Sequence, residues 1–91
     1  MGRHHDVLHE LAQMSLADRT DEGVHGQLML ALYRCGRRAN ALHAFQRLRG
    51  AMLDELGLEP SPWLHNLQRA VLDADPRLDD AGLTKIASGL R

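Results

Sequence analysis

Residues 31–45, A-L-Y-R-C-G-R-R-A-N-A-L-H-A-F, decide the fold of this chain, because two apolar runs flank a turn that is rich in arginine. Gly36 stands where a residue with positive φ commonly ends a helix, so the stretch predicts a helix, a tight turn and a second helix. Such a pair fits a DNA-reading helix-turn-helix, and it also fits the elbow of a helical hairpin that grips another protein. The two interpretations give the arginines different roles.

Helical spacing continues on both sides of this turn, with apolar residues recurring every three or four positions. Thr20 is the predicted N-cap of the helix that Gly36 ends. Ser61 followed by Pro62 is a strong helix-opening signal, and Gly57 is expected to close the helix before it. The sequence therefore predicts an all-α fold of helical hairpins with four to five helices: about residues 4–16, 21–35, 38–56 and 62–73, and a short one from 79 or 80.

Two glycines lie inside the second predicted helix, Gly23 and Gly26. Each weakens the helix by roughly 1 kcal/mol relative to alanine, so we expect them to mark close approach to a neighbouring element. Asp75-Pro76 is expected to end the fourth helix, since proline cannot continue it.

The composition of the 91 residues is that of a small helical domain. A hydrophobic fraction of 44% excludes a disordered tail, and one Phe, one Tyr and one Trp leave a core of Leu, Ala, Met and Val. No apolar run approaches the roughly 20 residues needed to cross a bilayer, and the N-terminus lacks the apolar segment of a signal peptide. We therefore expect a cytoplasmic protein without a membrane partner, in which the single cysteine, Cys35, is a buried small hydrophobe.

The net charge of −1 conceals a segregation of charge along the chain. Residues 23–53 contain five arginines and no acid, whereas residues 54–80 contain seven acids against two arginines. Such asymmetry either steers an acidic partner to one face or is paired within the molecule.

Signals for catalysis and metal binding are weak. No Ser-His-Asp spacing, glycine-rich phosphate loop or nucleophile elbow is present, and the formal pair of Cys35 and His43 is explained by helix packing, so the sequence predicts no enzyme and no cofactor. His5 and His9 are four residues apart and could form one edge of a zinc or nickel site, but no third ligand follows at motif spacing. We expect solvated histidines rather than a metal site.

The hairpin resembles a tetratricopeptide repeat, in which a helix ends at a glycine, a small alanine follows five residues later and an aromatic residue four after that. Here those positions are Gly36, Ala41 and Phe45. The proline expected soon after the second helix arrives only at Pro60, because that helix is about two turns longer than the repeat predicts.

The longer stretch resembles the bacterial transcriptional activator domain of the actinobacterial antibiotic regulatory proteins, the SARP regulators. The resemblance rests on A-L-Y-R-C-G-R at residues 31–37, on L-D-E-L-G-L-E-P-S-P-W-L at residues 53–64 and on Asp75-Pro76. It implies that residues 1–78 form the C-terminal part of such a domain, with a tail of residues 79–91. Family members place a winged-helix DNA-binding domain before this region, so the chain is either a fragment of a regulator or a stand-alone protein; Met1 and the tail favour the second.

These observations predict a non-catalytic helical interaction module of a SARP-like regulator that acts in control of secondary-metabolite genes. Its partner would be the DNA-binding domain of the regulator, the transcription machinery or a second copy in a homodimer. Direct DNA binding is not expected, since phosphate attraction is weak at a net charge of −1. The alternatives are a small-molecule-binding or catalytic protein on the same scaffold, and a DNA-binding helix pair. Six residues are predicted to bind the partner: Arg34, Arg37, Arg38, Asn40, His43 and Arg47. Seven are predicted to be structural: Gly36, Ala41, Phe45, Gly57, Pro60, Pro62 and Trp63.

Overall fold

A computed structural model describes the backbone of residues 2–74 and the side chains of residues 7–74. This part of the chain consists of helices and contains no strand, which confirms the predicted all-α class. The helices are α1 (Gly2–Ala17), α2 (Glu22–Arg34), α3 (Arg38–Glu55) and α4 (Pro62–Leu72). The predicted fifth helix and the predicted stop at Asp75-Pro76 lie outside the described residues. None of the helices in the described range is long and apolar enough to span a membrane.

The N-cap of α2 is Asp21, so the prediction of Thr20 was wrong. The Asp21 carboxylate accepts a hydrogen bond of 3.0 Å from the amide of Val24, and its negative charge lies at the positive end of the helix dipole. Both residues can cap a helix, and the turn that closes between Asp18 and Asp21 places the second of them at the helix start.

The other helix ends follow the predicted turn signals. Gly36 and Gly57 have φ angles of +77° and +68°, the left-handed conformation that stops α2 and α3. Ser61 is the N-cap of α4, but its side chain does not bond to that helix. Its hydroxyl and its backbone amide instead donate to the carboxylate of Glu22, at 2.8 and 2.6 Å, which ties the start of α4 to the start of α2.

The core is centred on α2, which packs against each of the other three helices. Ala41 and Ala44 of α3 are fully buried, with Phe45 beside them, and their small side chains allow a neighbouring helix to approach closely. Cys35 is half-buried against this core. Large buried apolar side chains fill the rest: Leu8, Leu11, Leu28, Met29, Leu32, Leu48, Met52, Leu64, Leu67 and Val71.

The contact of α4 with α2 depends on Gly26. A Cβ atom at this position would lie 2.6 and 2.7 Å from two ring carbons of Trp63, closer than real carbon contacts allow. The expected close approach therefore occurs at Gly26. Gly23 is exposed and meets only the Asp21 carboxylate, at 3.5 Å.

Candidate functional site

A groove runs between α1 and α3, with α2 as its floor, and encloses about 420 Å³. The two flanking helices run in the same direction, since His9 and Asn40, in their first halves, line the same groove, and an ion pair of 2.6 Å joins Arg19, two residues after α1, to Glu55, the last residue of α3. The residues that line it are Leu8, His9, Ala12, Leu28, Leu32, Arg37, Asn40, His43 and Arg47.

The groove has an apolar floor and a basic, polar rim. Leu8, Leu28 and Leu32 are only 8, 2 and 8% exposed. The rim contains two arginines, Arg37 and Arg47, and none of the lining residues with described side chains is acidic. Within the described residues, the side chain of neither arginine forms a hydrogen bond or an ion pair, so their charge is available to a ligand. This arrangement suits a segment that carries both apolar and acidic side chains.

Four of the six residues predicted to bind a partner lie together in this groove: Arg37, Asn40, His43 and Arg47. They share one face of α3 because their positions are separated by three, three and four residues, which is the spacing of one helical face. All four are exposed. Arg34 and Arg38 do not line the groove, so the arginine-rich elbow is not one surface.

Arg38 instead binds the C-terminal end of α4. Its Nε donates to the carbonyl of Val71 at 2.9 Å, and its Nη2 donates to the carbonyl of Leu72. The last carbonyls of a helix have no intrahelical partner and lie at its negative end. A guanidinium there is stabilised both by hydrogen bonds to these carbonyls and by the helix dipole. The structure thus gives Arg38 a role within the chain, and a substitution there is expected to disturb the fold.

Three lining residues come from α1 and were not predicted: Leu8, His9 and Ala12. The spacing of Leu8 and Ala12 predicts a buried helix face, but no sequence signal places that face opposite α3. His9, considered above as one edge of a metal site, lines the groove, whereas the side chain of His5 lies outside the described residues. Among the residues with described side chains, no three His, Cys, Asp or Glu come together as metal ligands.

The depression continues past Arg47 into a second cavity of about 320 Å³. His25 is 1% exposed at its base, where Nδ1 donates a 2.8 Å hydrogen bond to the carbonyl of Asp21. Because Arg47 lines both cavities, it is the residue that a ligand lying along α3 would meet in either half. The second cavity is lined by Ser15, Leu16, Arg19, His25, Gln46, Arg47, Gly50 and Ala51.

A charged cluster outside the groove fastens α3 to the segment before α4. Arg49 donates two hydrogen bonds of 2.9 Å to the Glu59 carboxylate, and His65 lies 3.4 Å from the same group. The hydrogen bonds from Arg49 lower the pKa of Glu59 below its ordinary value, and the same contact raises the pKa of Arg49. One acid of the C-terminal part of the chain, Glu59, is thus paired internally here, whereas the side chains of the groove arginines have no partner within the described residues.

The family model described as "Bacterial transcriptional activator domain" matches residues 1–72. Regulatory protein DnrI of Streptomyces peucetius is 44% identical over 82 residues, which cover 90% of this chain and 30% of DnrI. Regulatory protein AfsR of Streptomyces coelicolor is 43% identical over 77 residues, 85% of this chain and 8% of AfsR.

A mycobacterial protein is also similar. Transcriptional regulatory protein EmbR of Mycobacterium tuberculosis is 32% identical over 75 residues, which cover 82% of this chain and 19% of EmbR. The chain therefore spans less than a third of the length of each of these three relatives. No solved structure matches the chain significantly.

Proposed function

This chain belongs to the bacterial transcriptional activator domain family, and from that premise we propose that it is a non-catalytic protein-interaction module of a SARP-like transcriptional regulator. The genes under its control are those of secondary metabolism. The relatives support the regulatory part of the proposal, since all three named above are regulatory proteins.

The observation that carries the proposal is the groove between α1 and α3. Its apolar floor would bury the apolar face of a partner segment, and Arg37 and Arg47 would pair with acids that flank that face. An amphipathic helix laid into a hydrophobic groove is a common way for one protein to recognise another. The partner would be the DNA-binding domain of the regulator, the transcription machinery or a second copy of this chain.

The arrangement of the arginines favours a protein partner over DNA. Phosphate recognition needs several cations on one surface. Among the arginines with described side chains, Arg19 and Arg49 pair with glutamates and Arg38 binds α4, so these three cations are engaged within the chain. The net charge of −1 adds no long-range attraction for nucleic acid.

The proposal is tested by reversing the charge of one groove arginine in the organism that carries the gene. Arg47→Glu on the chromosome is expected to change transcript levels of the regulated genes, measured by RNA sequencing. Arg69→Glu makes the same change of charge at an exposed position on α4, outside the groove, and is the matched control. Circular dichroism of both purified variants verifies that they fold. Identical transcript profiles for Arg47→Glu and the unchanged protein would contradict the proposal.

A second candidate function, binding of a small molecule, is favoured by the size of the groove. About 420 Å³ lies within the range of small-ligand sites, and His9 and His43 would offer polar contacts. Native mass spectrometry of the chain purified from its own host separates the two functions. A small-molecule ligand adds a mass in the metabolite range, whereas a protein partner adds the mass of a polypeptide.

A further inference from the structure

The C-terminal segment, residues 75–91, reads D-P-R-L-D-D-A-G-L-T-K-I-A-S-G-L-R and follows the part of the chain that the family model matches. Leu83, Ile86 and Leu90 recur at spacings of three and four, which predicts one apolar helical face. Asp79 and Asp80 precede it at the predicted start of the helix, where acids are favourable. A helix of about a dozen residues is marginal in water by itself, so its apolar face requires a surface to pack against.

The described chain ends near the start of α3, at one end of the groove. Arg38 holds the carbonyls of Val71 and Leu72, so the end of α4 lies against the start of α3. Arg37, the neighbouring residue, lines the groove at that same end. Five residues of extended chain after Ala74 reach up to about 17 Å, so Asp79 can lie that far from the end of the described chain in the direction of Arg37.

Length and charge also agree. The groove follows α3 from Arg37 to Arg47, about 15 Å at 1.5 Å per residue, and the predicted tail helix has the same length within a turn. The described part of the groove lining contains cations, no acid and an apolar floor. Residues 75–91 carry three acids and three basic residues, and two of the acids, Asp79 and Asp80, directly precede the apolar face, where they would meet the groove cations.

We propose that residues 75–91 bind in the groove of their own chain, with Leu83, Ile86 and Leu90 on the leucine floor and Asp79 and Asp80 near Arg37. The tether makes the binding intramolecular, so residues 75–91 have a high effective concentration at the groove without a large intrinsic affinity. The tail is then a built-in competitor of the partner segment. This last consequence rests on the proposed function, whereas the docking itself does not.

Paramagnetic relaxation in the full-length chain tests the docking directly. A nitroxide is attached to Ser88→Cys, on the predicted polar face of the tail, after Cys35→Ala has removed the native thiol. Compared with the spectrum after the nitroxide is reduced, the amide signals of Asn40, His43 and Arg47 are expected to be weaker. The amide signal of Asn66 on α4 is expected to have the same intensity in both spectra. The substitution Ile86→Asp, which places a charge on the apolar face, is expected to restore the three signals.

Two results would overturn the proposal. One is that the amides of Asn40, His43 and Arg47 lose no intensity, or lose the same intensity with and without Ile86→Asp. The other is an equal loss of amide signal in a mixture of two chains, one with the spin label but no nitrogen-15 and one with nitrogen-15 but no spin label. The C-terminal segment would then bind a second copy. Neither result bears on the effect of Arg47→Glu on transcript levels, so a failure of the docking and a failure of the proposed function can be told apart.

Discussion

Gly23 and Gly26 lie less than one turn apart on α2 and provide a matched pair of substitutions. Replacement of glycine by alanine inside a helix stabilises it by up to about 1 kcal/mol. At Gly23 a new methyl group meets only the Asp21 carboxylate at an ordinary 3.5 Å, so Gly23→Ala is expected to raise the free energy of unfolding by about 0.5–1 kcal/mol.

At Gly26 the same methyl group would lie 2.6 and 2.7 Å from the ring of Trp63, about 1 Å inside normal carbon contact. The ring can relieve this only by moving away from α2, which exposes apolar surface that the two helices now bury. Overpacking of this kind costs about 1–3 kcal/mol, which offsets or exceeds the gain in helix propensity. Gly26→Ala is therefore expected to be less stable than Gly23→Ala by about 1–3 kcal/mol.

Urea denaturation followed by circular dichroism at 222 nm, a standard helix signal, measures both variants without depending on tryptophan fluorescence. A difference of 1 kcal/mol also separates their melting temperatures by about 4–8 °C in a domain of this size. Trp63→Leu removes the ring, and in that background Gly26→Ala should stabilise the chain as Gly23→Ala does. Equal stabilisation by the two alanines in the presence of Trp63 would refute the proposed α2–α4 packing.

Further outcomes follow from the contacts of α3 and α4. Arg38→Met should lower the free energy of unfolding by about 1–2 kcal/mol, since two charge-assisted hydrogen bonds to α4 are lost, while Arg37→Met should change it by less than about 0.5 kcal/mol; equal effects in urea titrations would argue against the contact. Ala41→Leu should lower the free energy of unfolding by about 1–3 kcal/mol, because Ala41 is fully buried and a larger side chain overpacks the core. A melting temperature equal to that of the unchanged chain, followed by circular dichroism, would rule this out. The pKa of Glu59, followed by NMR, should lie below its ordinary value and return towards it in Arg49→Met; because the folded pKa is lowered, the stabilisation is present above the unfolded pKa and is lost as pH falls through the folded one. In a gel shift at low salt the chain alone should not retard duplex DNA, and a tight, salt-sensitive complex would overturn the choice of a protein partner.

The helices could be predicted from the sequence because their ends are set locally. Gly36 and Gly57 adopt positive φ where the turn pattern requires it, and Pro62 begins α4 as its fixed φ favours. The exception is the start of α2, where Thr20 and Asp21 are both able to cap and only the turn before them decides. Local chemistry does not choose between two adjacent cap residues.

Only the part of the site that lies on one helix, α3, could be predicted from the sequence. Asn40, His43 and Arg47 could be grouped because they repeat along one face of α3. The contribution of α1 depends on the tertiary position of that helix beside α3, which no local pattern specifies. Arg37 and Arg38 look alike in the sequence, yet adjacent residues of a helix point about 100° apart, and only the position of α4 determines that one of them binds it.

The central claim, that this groove binds a protein, is tested most directly by photo-crosslinking in the native host. A benzophenone amino acid in place of His43, in the groove, is compared with one in place of Asn66, exposed on α4. We expect position 43 alone to cross-link to another polypeptide, either a DNA-binding domain, a component of the transcription machinery or a second copy, and we expect Arg47→Glu to abolish that product. Equal cross-linking from both positions, or cross-linking from position 43 to nucleic acid alone, would contradict the account.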